Sequence, residues 1–226
     1  MKVNKETKKA VAVLLTVGAA CIAASVLSGC GSQGPQGAGG PMGPAGTPSP
    51  SPSVNTIQEM VNTENEYRQS VGQELLLPGL DCNLYTVPTT TTAIIGATGL
   101  VGVGSFDFTG VFNQPNASVT TGLNILPTAL QSVYQTWYIV KCTGDLVVAD
   151  NNWHEFDVNS DDGSNLYIDG LLINNDGLHA QLDKSASKYL KYGFHFFELD
   201  FLQANGNEAL ILNEDGAVMS SSGFYH

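Results

Sequence analysis

The sequence predicts an all-β chain, an antiparallel β-sandwich preceded by a short helix and an extended Gly/Pro linker. Three observations carry this reading. Beyond Leu80, short stretches of alternating apolar and polar residues are separated by Gly, Asn and Asp turns. No amphipathic helical pattern separates those stretches, so the strands have no crossover helices and pair antiparallel. Upstream, a run with glycine at every third position gives way to a single capped segment of helical period.

The first 29 residues read as a secretory signal. Lys2, Lys5, Lys8 and Lys9 make a basic start, and Ala10–Leu27 is apolar almost without interruption. The run ends in Leu27-Ser28-Gly29-Cys30, which resembles a bacterial lipobox. The resemblance implies cleavage before Cys30, a lipid on that cysteine and a membrane-anchored chain in the bacterial cell envelope, at the outer membrane or cell surface. Two acyl chains suffice for stable anchoring, since each buried methylene contributes about 0.8 kcal/mol.

Residues 30–54 form the linker. From Gly31 to Pro48 glycine recurs in six triplets, resembling a collagen-like Gly-X-Y tract, and Ser49-Pro50-Ser51-Pro52 continues it. Six triplets without hydroxyproline are too few to hold three chains together unaided. The tract therefore reads as an extended spacer of about 50 Å at about 3.1 Å per residue, with a trimeric stalk as the second reading.

Residues 55–72 read as a helix. Thr56 and Glu59 form a capping box, Ile57, Met60, Val61, Tyr67 and Val71 recur at helical spacing, and Gly72 lies past the end. The sandwich then spans 80–226, with strands expected at 83–87, 93–95, 104–112, 137–141, 145–148, 153–159, 165–168, 171–173, 195–202 and 209–212. A helical turn is expected at 126–133, after Pro127.

Charge and cysteine content bound the function. The chain carries nine basic and 21 acidic residues, a net charge of −12. Losing residues 1–29 removes four lysines and one glutamate and takes the charge to −15. Such a surface repels nucleic acid and anionic lipid. With Cys21 in the signal and Cys30 lipidated, Cys82 and Cys142 remain as a pair in an oxidising compartment and are expected to be joined. Closing a loop of that length adds ~4 kcal/mol by restricting the unfolded chain.

One passage is specific. Ser160-Asp161-Asp162-Gly163, Leu166-Tyr167-Ile168-Asp169-Gly170 and Asn174-Asn175-Asp176-Gly177 follow one another, with Gly193-Phe194-His195 and Ala209–Leu212 downstream. This order resembles the PA14 family, a β-sandwich module, over residues 104–216. Trp153-His154 departs from its usual Gly-Tyr, and residues 213–226 have no counterpart in it. In the yeast adhesin branch of that family, two adjacent aspartates joined by a cis peptide hold calcium, and an asparagine from a neighbouring loop completes a site for sugar hydroxyls. The resemblance therefore implies Asp161 and Asp162 as calcium ligands, with Asn205 or Asn207 beside them. Calcium favours six to eight hard oxygens, and a sugar diol supplies two. Asp161-Asp162-Gly163 is equally a good turn sequence.

Around this core the remaining candidates are weaker. Asp176 and His179 are placed on the same rim as ligand-binding candidates, and Asp169-Gly170 reads as a hairpin turn. Trp137, Tyr138, Trp153, Tyr167 and Tyr192 offer stacking surfaces for sugar rings, although strand alternation places most of them in the core. Lys184, Lys188 and Lys191 read as a solvated loop, and the four histidines show no metal spacing. No nucleophile elbow, zinc-protease or phosphate-loop motif is present. The expectation is a non-enzymatic surface binding module for glycan, assisted by calcium. The alternative is a structural or protein-binding tip without a small ligand.

Overall fold

The computed structural model describes residues 54–118 and 122–226. The signal segment, Cys30 and the Gly-X-Y tract lie outside the described residues. The chain begins with helix α1 (Val54–Ser70) and continues through β1 (Leu80–Thr86), β2 (Val101–Phe108) and β3 (Asn113–Ser118). A helical turn, α2 (Thr128–Gln131), leads into β4 (Tyr138–Val148), β5 (Asn152–Asp161), β6 (Ser164–Ile168) and β7 (Leu171–Asn175). The last strands are β8 (Leu182–Leu190), β9 (Gly193–Gln203), β10 (Asn207–Glu214), β11 (Ala217–Val218) and β12 (Phe224–Tyr225).

Among the described residues these strands form two antiparallel sheets, the sandwich that the alternating pattern predicts. One runs β2-β1-β4-β9-β6-β7, with β12 beside β4 in the lane that β1 leaves open. The other runs β11-β10-β5-β8, with β3 beside β10. Strand alternation sends Leu84, Val140, Leu166, Leu199 and Phe201 from the first sheet into one core with Phe156, Val158, Leu210 and Leu212 from the second. Cys82 and Cys142 lie opposite each other on β1 and β4, face that core and are joined, as expected.

The outer face of the first sheet is covered at both ends. Helix α1 lays Met60 and Val61, together with Leu76, against Val147 and Tyr225. The side chain of Asn65 fixes the chain after the helix by pairing with the N–H and C=O of Leu76 at 2.7 and 3.3 Å. At the other end, Val87 and Ile94 of the segment 87–100 close over Ile139 and Leu202.

Several sequence expectations are corrected. Residues 93–95 form a loop and not a strand, and the strand placed at 104–112 runs from Val101 to Phe108. The stretches 137–141 and 145–148 are one strand, β4. Lys184 and Lys188 lie on β8 and not in a loop, and their ammonium groups donate to the carbonyls of Asn174 and Ile168. Of the five aromatic candidates only Tyr138 is fully buried, and Trp153 and Tyr192 are exposed. The chain end that the resemblance leaves unassigned seats Phe224 in the core.

Candidate functional site

The candidate site lies where β5 ends. Strand pairing delivers Asp161 opposite Ala209 of β10, and the chain turns at Asp162-Gly163 into β6. The peptide between Asp161 and Asp162 is cis, as the resemblance implies. Beneath this turn lies a buried polar net. Ser160 and Ser164 share a hydroxyl hydrogen bond of 2.7 Å, and the Asn175 amide donates to Ser160 Oγ at 3.0 Å and to the Leu182 carbonyl at 3.1 Å. These three side chains are fully buried and tie the turn to β7 and β8. Sequence reasoning placed Asn175 in a polar loop and missed this role; the Ser-x-x-x-Ser spacing around the aspartates was its one available trace.

Two loops converge on the two aspartates. The β9–β10 hairpin docks on Asp162, whose Oδ2 accepts the Ala204 N–H at 2.9 Å, and the N–H of Asn205 is directed at the same carboxylate. The 176–181 loop contributes the N–H of His179 to Asp162 and the N–H of Gln181 to Asp161. That loop sits so close that a Cβ on Gly163 would meet the backbone oxygen of Gly177 at 2.6 Å, which is why glycine stands there. Trp137 donates its N–H to the Ala204 carbonyl at 3.0 Å and joins the start of β4 to the hairpin.

Both aspartates are buried, each 7 % exposed. Burial pushes the Asp161 carboxyl above the ordinary aspartate range, and the neighbouring Asp162 charge adds to the effect. Burial likewise raises Asp162, against the opposing pull of the Ala204, His179 and Asn205 amides. Two adjacent carboxylates withdrawn from water carry an electrostatic cost that a divalent cation would relieve. Asn205 and Asn207 stand exposed on the hairpin that docks there, so the structure brings the Asp161, Asp162, Asn205 and Asn207 segments together.

Asp176 has a different first task. Its Oδ1 accepts the Ile94 N–H at 2.6 Å and its Oδ2 the Ile95 N–H at 2.9 Å, with Gly177 N–H also on Oδ1. It anchors the 87–100 segment. His179 is held between two carbonyls, Nε2 at 2.8 Å from Asn175 O and Nδ1 at 2.9 Å from Ala180 O. Asp169, expected only as a turn residue, has φ +47° and also accepts the Phe196 N–H at 3.0 Å and contacts His195 Nδ1 at 2.6 Å. Tyr167 is half-buried on β6.

No protein-family model matches the chain, and no curated protein matches it either. Its fold, in contrast, has clear counterparts among solved structures. The PA14 domain of the antifreeze protein MpAFP superposes with a TM-score of 0.55 at 15% identity, covering 67% of this chain and 92% of that one. A PA14 sugar-binding domain from an RTX adhesin gives 0.52 at 18% identity, covering 66% and 99%. The epithelial adhesin 9 A domain from Candida glabrata, solved with Galβ1-4GlcNAc, gives 0.48 at 11% identity over 66% and 90%. The chain therefore has a PA14-like sandwich fold.

Proposed function

We propose that this chain is a membrane-anchored surface binding module that takes calcium at Asp161 and Asp162 and recognises carbohydrate through that ion. The observation that carries the reading is the pair of adjacent, buried aspartates at a sandwich end, faced by a hairpin that exposes Asn205 and Asn207. Calcium accepts carboxylate, amide and hydroxyl oxygens together, so the ion supplies the bridge between this rim and a sugar diol. The sugar-binding RTX adhesin domain shares the fold, which supports a glycan partner and a role in adhesion. Lipid on Cys30 and the Gly-X-Y spacer would hold the module away from the membrane. Residues 213–226 contribute core and edge strands in this reading.

Calcium titration of the full-length chain, followed by a glycan array, tests it. Asp161→Asn with Asp162→Asn removes both charges with little change in volume, and is expected to abolish the calcium-dependent rise in thermal midpoint and the array signal together. Unchanged calcium affinity in that double variant refutes the calcium reading.

The recurrence of glycine at every third position over residues 31–48 favours a second reading, a trimeric tip that binds protein or none. Sedimentation velocity separates the two. A monomer with a positive array supports the first, and a trimer with a silent array the second.

A further inference from the structure

The opposite end of the sandwich holds a cluster that the PA14 resemblance does not account for. There β5 begins and β10 ends, and His154 meets Glu214 and Asp215. His154 is 7 % exposed, and its ring stacks 6.3 Å from that of the fully buried Phe156. Nδ1 lies 3.0 Å from Glu214 Oε1 and 3.3 Å from Asp215 Oδ2, while Nε2 lies 3.2 Å from Asp150 Oδ1. Despite these short distances, neither ring nitrogen makes a hydrogen bond, and Asp150 Oδ1 is likewise buried without one. The oxygens stand beside the imidazole nitrogens but off the line a hydrogen bond requires.

That geometry fits ligands gathered round a common centre better than a bonded pair. With metal–nitrogen and metal–oxygen distances of about 2.0–2.2 Å, neighbouring ligand atoms of a tetrahedral zinc site lie about 3.3–3.6 Å apart, and slightly closer at higher coordination number. The three ligand atoms of His154, Glu214 and Asp215 all fall within 4.8 Å of one another. Asp215 is fixed in advance. Its backbone at φ +51° turns the side chain back over β5, where its N–H donates to Glu155 O at 2.8 Å and its Oδ1 accepts Glu155 N–H at 2.9 Å. Oδ2 is thereby held toward the imidazole. Asp150 stands by the other ring nitrogen, the place where a carboxylate commonly orients a metal-bound histidine.

We infer that His154, Glu214 and Asp215 form a second cation site, for a divalent transition metal of the zinc class, independent of the aspartate pair. Imidazole nitrogen and two carboxylates suit zinc far better than calcium, which favours oxygen donors only. Three protein ligands leave a coordination position, and it opens on a cavity of about 290 Å3 lined by Ile57 of the helix, Val147, Ala149, Met219 and Ser222. Water or a small anionic ligand fits that position. The ion would clamp the start of β5 to the end of β10 and the β10–β11 turn. The departure from the family pattern at Trp153-His154 is what supplies the nitrogen ligand.

The test uses the full-length chain in detergent, free of any affinity tag, in calcium-saturated buffer. Zinc titration is expected to reveal one saturable equivalent and a raised thermal midpoint, and cobalt to displace into the same site with the visible absorption of a four- or five-coordinate ion. His154→Gln and Glu214→Gln should each weaken zinc by ~100-fold or more, beyond the loss typical of an orienting neighbour. The Asp161→Asn, Asp162→Asn chain should bind zinc as before, which separates this site from the proposed calcium function. Absence of a saturable zinc or cobalt equivalent in the unaltered chain overturns the inference, as does one that survives both substitutions. The cobalt spectrum of the unaltered chain needs no variant to fold.

Discussion

Glu208 shows what a single buried carboxyl does to this sandwich. It has no solvent exposure, its Oε2 accepts the Tyr138 hydroxyl at 3.2 Å, and its Oε1 has no partner. Burial pushes its pKa up to about 7 from an ordinary 4.5, with the Tyr138 hydrogen bond pulling the other way. A folded-state value above the unfolded one means that the native state binds the extra proton between the two. Stability is therefore full below about pH 4.5 and is lost as pH rises through about 7. The shift corresponds to roughly 3 kcal/mol. Glu208→Gln keeps the acceptor for Tyr138 and removes the charge, so it should gain about 2–3 kcal/mol on the unaltered chain between pH 5 and pH 8. Urea midpoints at the two values measure this, and curves that run parallel would show that Glu208 ionises without penalty. Its position opposite the end of β3, near the docked hairpin, also explains why the sequence hid it: a glutamate in an Asn-Glu-Ala-Leu run reads as solvent-facing, and only the pairing of β10 with β3 and β5 buries it.

At the scale of elements, the segment 87–100 depends on one side chain. Asp176 holds the Ile94 and Ile95 amides, and Val87 and Ile94 supply the apolar contact beneath. Hydrogen bonds to a charged acceptor are worth about 1.5–3 kcal/mol each. Asp176→Ala should therefore speed hydrogen exchange at those two amides by ~10–100-fold while the amides of β4 and β9 keep their protection. Uniform acceleration across the sheet would mean that Asp176 supports the fold and not the loop. The same loop shows where sequence reading fails. Ala93-Ile94-Ile95 has the composition of a strand, yet the Ile94 and Ile95 amides find a carboxylate 82 and 81 residues downstream in place of a neighbouring strand. The strands with a strong alternating core face, β4, β5, β9 and β10, were legible to within a few residues, as was the β6–β7 hairpin, because alternation and turn chemistry agreed there. β3 and β8 were not. Asn113–Ser118 carries no large apolar residue, and Leu182–Leu190 is an edge strand with six of nine residues exposed, so neither prints a core face in its sequence. The aspartate turn was legible because its motif is contiguous. The His154 cluster was not, since its members are 60 residues apart and meet only through the register of β5 with β10.

For the sandwich as a whole, the direction of β5 separates two poles. From His154 to Asp161 it spans about 23 Å at about 3.3 Å per residue. Helix α1 packs at the first pole, where Ile57 lines the cavity beside His154 and Met60 and Val61 cover Val147 and Tyr225. Helix α1 therefore sits at the pole remote from the aspartate pair. This separation predicts that the two poles respond separately. Met60→Ala removes a buried side chain between helix and sheet and should cost about 2–5 kcal/mol. The calcium affinity proposed for the aspartate pair should stay within about twofold, as expected for changes well beyond ~10 Å apart. Urea unfolding and calcium titration of the same variant measure both quantities. A fall in calcium affinity that tracks the loss of stability would show that the helix and the aspartate rim belong to one cooperative unit.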